Sequence, residues 1–196
     1  MNKKYFSLLL AVMFLLAAVG TTALAKTPQT PVGNSIAKIL EVQKTNETLK
    51  AFNNGETALT QDQRAAIKEQ YLSYLDAAFE ELKKPENEFY LNYLLNNSGL
   101  LPQRVSETVK NIVDIAKLDI STDEKLELLA SDGICSDLVS VATACLALGL
   151  YFLFAVGALN VIGLAPNLVL ISLILANINF IIALIAVVLY PIFCIF

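Results

Sequence analysis

The C-terminal stretch 138–196 carries no charged residue, although Lys and Arg number 14 and Asp and Glu 18 over the 196-residue chain. The last basic residue is Lys125 and the last acid Asp137. A stretch of this length without a charge cannot all face water. It must be buried, either in lipid or under other parts of the protein. Charged residues make up 16% of the whole chain, against roughly 25% in ordinary soluble domains, and the shortfall lies in this tail. The sequence therefore contains a water-compatible part and a water-averse part. The net charge of −4 describes neither of them and gives no basic surface for nucleic acid.

Two segments in the tail are each long enough to cross a bilayer. Leu138 to Leu164 has only Ser140, Thr143 and Asn160 as clearly polar members, and Leu168 to Tyr190 has Ser172, Asn177 and Asn179. About 20 helical residues span a hydrocarbon core of about 30 Å. Their Leu, Ile, Val and Phe content favours insertion by roughly 4–10 kcal/mol per segment. Ala165-Pro166-Asn167 disfavours a continuous helix, so the expectation is a helical hairpin turning at Pro166. Ser172, Ala176, Asn179, Ala183 and Ala186 recur at spacings of four and three and form a small, polar face. Gly149, Gly157 and Asn160 are its expected counterpart on the first segment. Helix packing explains such a face better than a polar leak pathway does. No Lys or Arg follows either segment to fix an orientation.

The N-terminus has the three parts of an export signal: Lys3 and Lys4, an apolar run from Tyr5 to Val19, and the small-x-small site Ala23-Leu24-Ala25 before Lys26. An uncleaved anchor is the alternative, but the run is short for a spanning helix. The expected organisation is a signal peptide over 1–25, a linker over 26–33 with Pro28 and Pro31, a soluble helical region over 34–132, and an apolar peptide over 133–196. The expected class is all-α. The helical region should hold helices over about Ser35–Phe52, Gln61–Lys83, Glu86–Asn96 and Gln103–Leu118, followed by a short fifth. Thr60 with Gln63 and Ser121 with Glu124 read as capping boxes. Ile67, Tyr71, Tyr74, Leu75, Ala78, Phe79 and Leu82 form the clearest apolar stripe. Phe89, Tyr90, Tyr93 and Leu94 are the expected inner face of the third helix, and Val105, Val109, Ile112, Val113 and Ala116 that of the fourth. Leu126, Leu129 and Ala130 can pack from the fifth. The hairpin could instead hide in this region until triggered, but the region is small for so much apolar surface.

Nothing in the sequence points to an enzyme or to a cofactor or metal site. The chain has no His, which removes the commonest general base near neutral pH and the commonest zinc ligand. The acidic pairs Glu80-Glu81 and Asp123-Glu124 read as solvated helix faces. The three cysteines are Cys135, Cys145 and Cys194. On one straight helix Cys135 and Cys145 stand about 15 Å apart, beyond the roughly 7 Å reach of a disulfide, so that pair needs a bend or a loop. A hairpin folded at Pro166 brings Cys194 towards Cys135. Both pairings remain open, as does the unpaired state.

The stretch CSDLVSVATACLALGLYFLFAVGALNVIGL, from Cys135 to Leu164, resembles the sporulation-delaying, SdpC-type antimicrobial peptides. The shared elements are two nearby cysteines, an apolar run, the aromatic pair Tyr151-Phe152, and the step formed by Val156, Gly157 and Asn160. The order of signal peptide, polar helical pro-region and apolar peptide is similar too. The resemblance covers about 30 residues. It implies an exported bacterial precursor cut near Ser131, Asp132 and Gly133, releasing a disulfide-bearing peptide that enters the bilayer of target cells and collapses their membrane potential. It also implies membrane-bound maturation proteins and an immunity protein as partners. Cys194 is an addition to the family pattern and the polar segment after the peptide is missing, so the mature product is expected to run to the C-terminus. A non-enzymatic exported protein, anchored by the hairpin with its helical region outside the cytoplasm, is the competing expectation.

Overall fold

The computed structural model describes residues 31–55, 59–97, 99–130, 133–162 and 166–195, and of Phe52, Asn160, Val161 and Ile162 only the backbone. The expected signal peptide and its cleavage site lie outside these residues, as do Ser131 and Asp132. The described chain is all-helical. Its helices are α1 (Pro31–Asn53), α2 (Gln61–Lys83), α3 (Pro85–Asn96), α4 (Gln103–Ala116), α5 (Thr122–Leu129), α6 (Ile134–Ile162) and α7 (Pro166–Cys194).

Local sequence explains most of the boundaries. The Thr60 hydroxyl accepts from the Gln63 amide and the Gln63 side chain accepts from the Thr60 amide, which satisfies two of the donors left open at the start of α2. Ser121 and Glu124 do the same for α5. Pro85, which cannot donate to the preceding turn, ends α2 and occupies the first turn of α3, where no donor is needed. Gly55 after α1 and Gly133 before α6 have φ of 77° and 80°, a region that favours glycine.

Three expectations need correction. Helix α1 includes Pro31, Val32 and Gly33, so the end of the expected linker is helical. Val32 begins a buried stripe that continues through Ser35, Ile36, Ile39, Val42, Asn46 and Leu49, at the three- and four-residue spacing of one helix face. The inner face of α3 is Asn87, Leu91 and Leu94, while Phe89 and Tyr93 are exposed. On this face Leu91 and Leu94 are buried and the Asn87 side-chain amide donates to the Glu81 carbonyl at 2.8 Å. Ala130 is exposed, and Lys125 is buried in its place beside Leu126 and Leu129. The stripes on α2 and α4 lie inward as expected, with Ile67 and Tyr74 half-buried.

The polar and apolar parts share one core. Helix α7 runs through its centre, touching α6, α1, α2 and α3, while α4 packs on α6. Nearly every residue of α7 from Leu175 to Pro191 is buried. A helix that is apolar all round must be enclosed or in lipid, and here the other helices enclose it over that length.

Candidate functional site

The two apolar helices form the expected hairpin-like pair. Each has 29 residues, or about 43 Å of helix; α6 begins four residues before its expected span and ends two short of it, while α7 exceeds its expected span at both ends. Pro166 is the first residue of α7, so it lies in the helix and not in the turn. A proline is readily accommodated there. The connection itself, residues 163–165, is outside the described residues.

The open ends of the hairpin are joined. Cys135, in the first turn of α6, is disulfide-bonded to Cys194, the last residue of α7, with their Cα atoms 6.1 Å apart. Cys145 is unpaired and buried. The two cysteines that carry the resemblance, Cys135 and Cys145, are therefore not partners. The straight course of α6 keeps them too far apart. An ion pair at 2.7 Å between Arg104 of α4 and Asp137 also holds this end.

The proposed packing face divides. Ala176, Asn179, Ala183 and Ala186 are fully buried, Ser172 is half-buried, and Gly157 is exposed. Gly157 therefore does not belong to the helix–helix contact, and the side chain of Asn160 is outside the described set. Gly149 does belong to it. A Cβ at this position would stand 3.0–3.2 Å from the Phe180 ring, so the missing side chain is what lets the ring lie against α6. Sequence spacing had not marked Phe180, because a Phe in an apolar helix gives no sign of which way it faces. Asn179 donates to the Leu175 carbonyl at 2.8 Å, and its side-chain oxygen has no hydrogen-bond partner. Such an orphan costs about 1–3 kcal/mol.

The grip of the polar helices on α7 centres on Pro191, which lies within the helix and is buried. Proline lacks an N–H, so the Val187 carbonyl four residues earlier loses its helical donor. Asn46 of α1 replaces it: its side-chain amide donates to the Val187 carbonyl at 3.4 Å. The Tyr71 hydroxyl in turn donates to Asn46 Oδ1 at 2.7 Å. Burial pushes the Tyr71 hydroxyl well above the usual phenol range, so it remains a donor. Asn53 donates to the Ile195 carbonyl at 3.2 Å, and the Lys50 ammonium lies 5.5 Å from the centre of the Tyr190 ring. Helix α1 thus supplies the polar partners for the C-terminal end of α7.

Coverage stops partway along the hairpin. The buried stripe of α6 runs from Ile134 through Leu138, Val141, Cys145 and Gly149 to Phe152 and then ends. At and beyond its end Tyr151 and Phe154 of α6 and Leu168, Leu170 and Ile171 of α7 are exposed, Phe154 by 81% and Leu170 by 57%. The outer face of α6 changes character along its length. Ser136, Ser140 and Ala147 are exposed and Thr143 half-buried, and the aromatic residues Tyr151 and Phe154 follow. The hydroxyls of Ser140 and Thr143 donate to the carbonyls four residues back, at 3.0 and 2.8 Å, so they need neither water nor a partner helix. Among the described residues no group of three metal-ligating side chains converges.

No protein-family model, curated protein or solved structure matches this chain.

Proposed function

We propose that the chain is the precursor of a secreted bacterial antimicrobial peptide, and that its hairpin, residues 133–196, inserts into the membrane of target cells and dissipates the membrane potential. One observation carries the reading. Two apolar helices, each longer than a bilayer core is thick and without charge beyond Asp137 in the first turn of α6, are tied at their open ends by Cys135–Cys194 and enclosed by polar helices over only part of their length. Helices α1–α5 act as a sheath that keeps the apolar pair manageable in water. Cleavage in the zone 131–133 cuts the chain between α5 and α6, and the disulfide then holds α6 and α7 as one unit. The resemblance of residues 135–164 to SdpC-type peptides supports the same reading, and with it maturation and immunity proteins as partners.

Mass spectrometry of the culture supernatant tests the processing. The expected species begins near 131–133 and has lost the two hydrogens of one disulfide. Recovery of the intact, cell-bound chain alone contradicts it. A synthetic peptide of residues 135–196 that leaves a membrane-potential dye unchanged contradicts the toxic mechanism.

The bare hairpin tip also favours a second reading, an exported protein anchored in the producer's own membrane with α1–α5 outside the cytoplasm. Carbonate extraction separates the two: an anchor stays with the producer's membranes, and a released toxin leaves them.

A further inference from the structure

The bare tip consists of residues beyond about 152 on α6 and before about 175 on α7, some nine or ten helical residues on each side. At 1.5 Å per residue that is about 13–15 Å, half of a 30 Å hydrocarbon core. We propose that the intact, folded chain docks on a lipid bilayer through this tip, filling one leaflet, before the sheath opens. The inference rests on the hairpin being membrane-seeking and adds the order of events and the depth.

Four observations specify lipid as the occupant. The tip contains no charge, and Phe154, Leu168, Leu170 and Ile171 already face outward with the sheath closed. Its length matches one leaflet and falls short of two. The outer face of α6 follows the polarity profile of a membrane surface: Ser136, Ser140 and Thr143 where water lies, Tyr151 at the boundary, Phe154 beyond it. Tyrosine favours that boundary because its ring is apolar and its hydroxyl is not. Finally, the tip continues helices already long and apolar enough to span, so docking places them at the start of insertion. No Lys or Arg lies on the tip, so docking depends on apolar burial and not on attraction to anionic headgroups.

The chain has no Trp, so one introduced indole reports alone. The full chain carrying Phe154→Trp is mixed with phosphatidylcholine vesicles, some with bromine on the acyl chains. The expected result is co-flotation, a blue-shifted emission and quenching by the brominated chains, all unchanged between low and high salt. Phe89→Trp, exposed on α3, should remain unquenched. Phe154→Asp with Leu170→Asp changes two exposed residues, so helicity should be kept while vesicle binding falls at least tenfold. Docking is overturned if the indole at 154 is unquenched, if the indole at 89 is quenched equally, or if the indole at 154 is shielded without lipid in a chain that elutes as a dimer. Failure here is separable from failure of the toxin reading. A chain that docks while its released peptide leaves the potential intact keeps the docking and loses the toxin. A peptide that collapses the potential while the intact chain stays in water does the reverse.

Discussion

The contact between Asn46 and the Val187 carbonyl makes a quantitative prediction, because the reason for that contact lies at Pro191. Asn46→Leu keeps the volume roughly constant and removes the amide. The Val187 carbonyl then has no donor, since Pro191 offers none, and a buried unsatisfied carbonyl costs about 1–3 kcal/mol. The Tyr71 hydroxyl loses its 2.7 Å acceptor but still has the Val42 carbonyl at 3.4 Å, which limits its share. Pro191→Ala restores an amide at position 191 that reaches Val187 within the helix. In that background Asn46→Leu should cost about 1 kcal/mol less than in the parent chain. Guanidinium unfolding of the four chains, followed by far-UV ellipticity, closes the double-mutant cycle. The two substitutions should be strongly non-additive. Additivity within about 0.3 kcal/mol would refute the idea that Asn46 is there to serve the carbonyl that the proline frees.

Gly149→Val drives a branched side chain into the Phe180 ring and should destabilise the chain by about 1–3 kcal/mol, read as a lower guanidinium midpoint; an unchanged midpoint would mean that the ring does not depend on that gap. Cys194→Ser opens a loop of 59 residues, worth about 4 kcal/mol on a chain-entropy estimate, and the same loss should follow from adding reductant to the parent chain but not to the variant. Lys125 is buried, with its ammonium 5.3 Å from the centre of the Phe79 ring, and burial, followed by the nearby Lys83, holds it below the usual lysine range. The unfolded chain therefore holds that proton more tightly, so the stability contribution of this group rises with pH between the folded value and the ordinary one. Lys125→Met should be more stable than the parent at neutral pH and should lack that alkaline rise in a thermal-melt series.

Much of the architecture was legible because local chemistry decides it. Thr60 with Gln63 and Ser121 with Glu124 need only three-residue spacing to be recognised, and both boxes form. The stripe on α2 and the pairing of two long apolar helices follow from periodicity and length. The placement of the hairpin was not legible, since a helix that is apolar on every side suits the centre of a bundle as well as a bilayer. Pro166 is expected in the turn yet begins α7, and a second proline, Pro191, lies within the same helix. The second is tolerated because a side chain 141 residues away supplies the missing donor, a relation no local window contains. The face of α3 differs from expectation because Leu91 and Leu94 fill the inner side, with Asn87 bonded to the end of α2, which leaves Phe89 and Tyr93 outside. The disulfide could be narrowed to two pairings from spacing, and the straight course of α6 decides between them.

The central claim is that α1–α5 restrain a hairpin which is active once freed. Replacing Ser131-Asp132 by a specific protease site allows the chain to be cut at will between α5 and α6. The direct measurement is the collapse of a potassium diffusion potential across phosphatidylcholine vesicles, before and after that cut. The account predicts slow collapse with the intact chain and a large acceleration on cutting. Equal rates before and after, or no collapse in either state, would contradict it.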